Sequence, residues 1–290
     1  MKKISKLNLA LVAFAIGLTQ KCVADAVVDW NVIASQTIFA VGAPAHPGGS
    51  PGLDFAIVNA AIYDAVEAFD GRFEPYAVAI PGASGSPAAA AAKAAHDVLV
   101  NRFSGQTASL DATYHAYLAG HGLAENDPGV SVGQLAAAGN IALRANDGSW
   151  PAVPEVFVGG TGIGDWRPTP TAFASMAVPW LSTVTPFTLK SPSQFRAPPP
   201  PDMTSREYTA AYNEVKALGA LVNSSRTSEQ TDIAYFYADN AFLYWNRALQ
   251  GIANTYLNNI GDSARLFALV TMAMADGAIT AWDTKRHYYF

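Results

Sequence analysis

Residues 276–290, reading Asp-Gly-Ala-Ile-Thr-Ala-Trp-Asp-Thr-Lys-Arg-His-Tyr-Tyr-Phe, hold the side chains best suited to chemistry on an anion. At 100° per residue, Trp282, Lys285 and Tyr289 share one helix face, while Asp283 and His287 share another. A lysine on such a face is a cationic donor for an anionic group. On spacing alone, an amphipathic helix with an exposed lysine is the commoner case. Other groupings carry less. Residues 159–164 (Gly-Gly-Thr-Gly-Ile-Gly) superficially match a dinucleotide-binding turn, which needs a strand before it and a helix after it. Trp166-Arg167-Pro168-Thr169-Pro170 forbids that helix, so these read as loop glycines. His115 and His121, six apart, do not share a helix face, and no cysteine or third histidine joins them as a metal site. His46 and His96 are isolated. Asp64 with Glu67, or Glu67 with Asp70, fall on one helix face, where solvated or locally bonded carboxylates are commoner than catalytic pairs. There is no serine nucleophile elbow.

The elements that must position these residues read as helices. Leu53, Ile57, Ala60, Ala61, Asp64 and Ala65 recur at three- and four-residue steps, predicting a helix with a small-residue stripe over 53–69, ended by Gly71. Pro87 opens a second over 87–103, with proline at a tolerated first-turn position. Two more span 110–119 and 130–146, the latter closed by Asp147-Gly148. Residues 149–202 then hold eleven prolines and predict a long irregular segment, of a kind that is usually functional or wrapping. Beyond it, Thr204-Ser205-Arg206-Glu207 and Thr227-Ser228-Glu229-Gln230 fit capping boxes for helices to about 222 and 239. Helices over 241–257 and 263–290 come next, the last without a stop signal. No repeat of fixed period and no convincing alternating strand is present. The predicted fold class is all-α.

Composition agrees. Of 290 residues, 54 are alanine, half are apolar and 14% are charged, against about 25% in an average soluble domain. That excludes a disordered chain. The net charge of −5, with no basic cluster, argues against a nucleic-acid partner. Lys2, Lys3 and Lys6 precede an apolar run over 7–18, and Ala24-Asp25-Ala26 supplies small residues for cleavage after Ala26. Residues 1–26 are thus expected to be a secretory signal peptide, and the run is too short to span a bilayer. Lys21 argues against a lipid anchor on Cys22, since a small residue is needed there. Removing 1–26 takes four lysines and one aspartate, moving the net charge from −5 to −8. It also removes Cys22, the only cysteine, so the exported chain, periplasmic or extracellular, would be held by packing without a disulfide.

The 276–290 segment resembles the vanadium-dependent haloperoxidase branch of the phosphatidic acid phosphatase type 2 superfamily. That superfamily's signature runs K-x6-R-P, then P-S-G-H, then S-R-x5-H-x3-D. Lys285 fits the opening lysine, and residues 286–290 fill five of the six spacer positions. Trp282 resembles the aromatic residue lining the halide side of the pocket. Asp165-Trp166-Arg167-Pro168-Thr169-Pro170, Gln194-Phe195-Arg196, Tyr212-Asn213-Glu214-Val215-Lys216, residues 226–230 and Trp245-Asn246-Arg247 look like segments of the bacterial secreted members. The resemblance runs from about 53 to 290.

It implies a helical bundle of the haloperoxidase and acid phosphatase type, with residues 27–202 forming an N-terminal helical part plus wrapping segment and 203–290 beginning the catalytic bundle. Vanadate and phosphate gain a fifth ligand in the transition state, so their equatorial oxygens need fixed cationic donors. Lys285 is implied to be catalytic and, with Trp282, to bind the oxyanion. In a haloperoxidase the lysine polarises peroxide on vanadate toward halide. In a phosphatase it steadies charge while a histidine attacks phosphorus. Those histidines belong to motifs that come after the lysine, so no metal ligand is assigned and His287 is a spacer residue. The expectation is the N-terminal portion of an exported haloperoxidase-like enzyme acting on hydrogen peroxide and halide, with vanadate as cofactor of the complete protein and no activity in these 290 residues alone. A metal-independent acid phosphatase acting on phosphate esters and a noncatalytic helical binding protein are the alternatives. No membrane span is expected after signal cleavage, and the choice between monomer and homodimer stays open.

Overall fold

The buried helix at the centre explains the alanine content. The computed structural model describes residues 25–40, 50–153 and 155–290; the expected leader up to residue 24, and His46, lie outside the described residues. Helix α2 (Pro51–Asp70) is buried at every position from 52 to 67, not along one stripe as its periodicity predicts. The reason is that α3 (Pro87–Arg102), α5 (Pro128–Arg144) and α9 (Ile260–Tyr288) surround it, and a helix apolar on all sides can be buried on all sides. Small residues let the helices approach closely. A Cβ on Gly133 of α5 would lie 2.3 Å from the Ala90 carbonyl of α3.

Around this core lie α1 (Ala26–Ile38), α4 (Thr107–Gly120), α6 (Arg206–Leu218), α7 (Ser228–Tyr237) and α8 (Ala241–Tyr256). The described residues are helical with irregular connections and contain no strand, as the all-α reading expects. Helix α1 has no counterpart among the expected elements. Its carboxylate cap Asp25 accepts from the Val27 amide at 3.0 Å, and Trp30 and Ala34 are fully buried. Asn31 donates to Asn246 of α8 at 2.7 Å, which ties the beginning of the chain to its later helices.

Local chemistry sets the helix ends. Asp127 accepts from Gly129 N and Ser86 N, each at 2.8 Å, so one carboxylate fixes the starts of both α3 and α5. Helix α5 ends two residues short of expectation, and Asp147 instead accepts from the Ser149 amide at 2.8 Å. Ser205, not Thr204, caps α6, because the Thr204 amide and hydroxyl are both taken by Asp202. The second expected capping box is present, with Thr227 and Gln230 exchanging bonds. Helix α9 starts three residues early on an Asn259 cap. It does have a stop: Tyr289 turns left-handed at φ 60° and its amide donates to the Lys285 carbonyl at 3.0 Å.

The Pro-rich segment is irregular apart from a 3-10 turn at Pro179–Thr183, and a buried carboxylate holds it down. Asp276 on α9 accepts from Phe187 N (2.6 Å), Thr188 N (2.8 Å), Thr188 Oγ1 (2.6 Å) and Leu189 N (3.2 Å). Asp64 on α2 does the same for the loop after α2, accepting from Tyr76 N, Ala77 N and Val78 N and from the Asn140 amide. Burial pushes the Asp64 pKa up against the pull of these bonds. The two loops meet where Tyr76 stacks on Phe187, ring centroids 6.3 Å apart, and its hydroxyl donates to the Phe187 carbonyl.

Candidate functional site

The last turns of α9 are held by the Pro-rich segment from several sides. Arg196 makes a bidentate pair with Asp283 at 2.7 and 2.9 Å. Trp282 Nε1 donates to the Ala177 carbonyl at 2.8 Å, and the Tyr288 hydroxyl donates to the Ala197 carbonyl at 3.0 Å. Beyond the helix end, the Trp166 amide donates to the Tyr289 carbonyl at 2.8 Å, and Phe157 packs on both aromatic rings. Arg286 pairs with Glu155. Residues 159–164 turn through left-handed glycines at 159 and 164, with no strand before and no helix after, as loop glycines should. A Cβ at Gly164 would crowd Met203 and Phe290, so the glycine lets this loop lie against the end of the chain.

These contacts leave one face of α9 open. The Lys285 ammonium lies 4.1 Å from the centroid of the Trp282 ring, a cation–π contact worth about 0.5–1 kcal/mol at an exposed position. Both residues line a pocket of about 290 Å³ walled by Phe157, Trp166, Met176 and Phe290. The structure therefore brings together Trp282 and Lys285, as their three-residue spacing predicts. Tyr289 leaves their face, because its backbone has already turned out of the helix. Asp283 and His287 do not act together either: Asp283 is paired with Arg196, and the exposed His287 ring lies against Tyr288.

Among the described residues, Lys285 is the single cation lining this pocket, and no imidazole lines it. Nor does any group of three or more described His, Cys, Asp or Glu side chains stand where it could hold a metal ion. The residues present therefore match a bound oxyanion in one donor only, and no reaction step follows from them alone. Sequence reasoning does not find Phe157, Met176 or the pairing role of Arg196. The segments around Trp166 and Arg196 that resemble the bacterial secreted members are the available signal, but nothing in their spacing points at residue 283.

Comparison with solved structures places the architecture. A structure described as the first bacterial vanadium-dependent iodoperoxidase superposes with a TM-score of 0.74 at 20% identity, covering 91% of this chain and 69% of that one. The chain has the vanadium-dependent haloperoxidase fold. The apo form of a bacterial vanadium-dependent chloroperoxidase matches at TM-score 0.65 and 18% identity, over 89% of this chain and 67% of that one. A holo form matches at 0.55 and 18%, over 86% and 66%. No family model and no curated protein sequence matches the chain. Within the haloperoxidase fold, Lys285 and Trp282 thus sit at the end of α9, under a strap of irregular chain.

Proposed function

We propose that this chain is the amino-terminal helical part of an exported vanadium-dependent haloperoxidase-like enzyme, in which Lys285 supplies one cationic donor to an oxyanion and Trp282 supports it. The observation that carries the reading is the paired Trp282 and Lys285 on a pinned helix end, facing an aromatic pocket in a haloperoxidase fold. Vanadate would supply the peroxide-activating centre. This chain's own part is to hold a positive charge at Nζ, to keep it oriented over the indole, and to exclude water with Phe157, Trp166 and Phe290.

Two observations support a larger catalytic unit. The chain spans 69% of the iodoperoxidase it resembles, and no described imidazole lines the pocket. In addition, α6 and α7 bury none of their residues, while Tyr212, Val215, Tyr235, Phe236 and Tyr237 stand exposed. An apolar surface of that kind marks an interaction face. Residues 1–290 alone are accordingly expected to show neither vanadate-dependent bromination nor aryl phosphate hydrolysis. In the full-length polypeptide its gene encodes, Lys285→Ala is expected to weaken vanadate binding at least ~10-fold, about 1.4 kcal/mol, with an unchanged melting temperature. Unaltered vanadate affinity in that variant would remove Lys285 from the site. Phosphate ester hydrolysis without vanadate would instead make the enzyme a phosphatase, and neither activity would make it a noncatalytic binding protein.

A further inference from the structure

A second pocket, of about 320 Å³, lies between α2, α3, α5 and the start of the Pro-rich segment. It shares no lining residue with the Lys285 pocket, so a ligand bound there would be independent of the oxyanion site proposed at Lys285. Its lining includes Arg102, Arg144, Asn101 and Ser149, and no carboxylate among the described residues. Two guanidinium groups on one small cavity is an uncommon arrangement for a chain with only 14% charged residues.

The arginines have a structural role that must be set against this. Arg102 is the last residue of α3 and Arg144 the last of α5, where cations offset the helix dipole. Each also has a carboxylate: Arg102 Nε donates to Asp54 at 3.1 Å, and Arg144 pairs with Asp147 at 2.6 Å. Arg144 further donates to the Thr185 and Pro186 carbonyls and lies over the Phe187 ring. That role does not use up the donors. A guanidinium carries five N–H groups. Arg102 Nη2 and Arg144 Nε are buried and have no hydrogen-bond partner among the described residues, and an unmet buried donor, a charged one above all, is costly. The Arg102 plane is held on the Trp150 ring, 3.2 Å from its centroid, so it is pre-oriented. Burial also pushes the Asp54 pKa up to about 7, which weakens the charge opposing Arg102 near neutral pH.

We infer that the pocket between Arg102 and Arg144 binds an oxyanion, free or carried on a small organic molecule, through guanidinium donors that the described residues leave unpaired. Asn101 also lines the pocket and adds a neutral side-chain donor, whereas the Ser149 amide and hydroxyl are both taken by Asp147.

The test is calorimetric titration of inorganic phosphate, and separately of phenyl phosphate, into the Lys285→Ala protein, so that the other pocket does not contribute. Saturable one-to-one binding is expected. Phenyl phosphate binding more tightly than phosphate would identify an organic phosphate as the ligand class, and equal affinity would identify the free oxyanion. Asn101→Asp adds a carboxylate to the lining at an exposed position and is expected to weaken binding at least ~10-fold. Asp54→Asn, which removes the competing charge, is expected to tighten it. Thermal melting of each variant confirms folding. Absence of saturable binding to either probe, or binding indifferent to Asn101→Asp in a folded protein, would overturn the inference.

Discussion

Three aspartates illustrate how single residues carry this structure. Asp276 is buried and accepts from three backbone amides and one hydroxyl of the strap. Removing it leaves donors without partners in the interior, so Asp276→Ala is expected to cost at least about 2 kcal/mol in urea unfolding. A loss below about 0.5 kcal/mol would mean that the strap is held elsewhere. Asp54 behaves differently, since burial raises its pKa from 3.8 to about 7 despite Arg102. The folded protein keeps this proton up to about pH 7, whereas the unfolded chain releases it near 3.8. Its favourable contribution is thus complete below pH 3.8 and is lost as pH rises to about 7. The stability of the native protein relative to Asp54→Asn is expected to fall between about pH 4 and 7 and to level off above; a difference independent of pH would contradict the raised pKa. None of this is legible in the sequence. Asp64 stands out there only as one of a row of carboxylates, and its role as acceptor for a distant loop has no spacing pattern.

At the level of elements, periodicity and punctuation are informative. Gly71, Pro87 and the Thr227–Gln230 box mark real helix ends, and eleven prolines mark the irregular strap. Helix α1 is hidden because the expected leader runs through Ala26, although Asp25 caps a helix whose Val27, Trp30 and Ala34 recur at three- and four-residue steps. Cleavage after Ala26 would remove that cap and a buried alanine. Cleavage before Asp25 would keep both, with Cys22 and Ala24 as the small residues. With the proposed export, intact mass of the processed protein is expected to place the new terminus at Asp25; a terminus at Val27 would show that the cap is dispensable. The pairing of Arg196 with Asp283 is also unreadable, because 87 residues separate them. Arg196→Ala is expected to speed amide hydrogen exchange in the last two turns of α9 while leaving α2 unchanged. Equal protection in both proteins would show that this pair does not position Lys285.

For the molecule as a whole, the all-α fold is readable because helical patterning pervades the chain, and a fold needs only that pattern to be consistent. The site is readable in part: Lys285 and Trp282 share a pocket, but its other walls come from Phe157, Trp166 and Met176, about 110 to 130 residues earlier. Such walls are set by how the strap crosses α9, which local sequence does not encode. Haloperoxidase architecture with a single described cation in the pocket makes Lys285 the pivot of the functional account. The most direct measurement is bromide oxidation by the full-length polypeptide encoded by this gene, assayed with vanadate and hydrogen peroxide, for the native protein and for Lys285→Ala. Vanadate-dependent bromination that falls at least ~100-fold in the variant, about 2.7 kcal/mol, with its fold intact, is the expected result. Bromination unaffected by the loss of Lys285 would contradict the account, as would a native protein that hydrolyses aryl phosphate and never oxidises bromide.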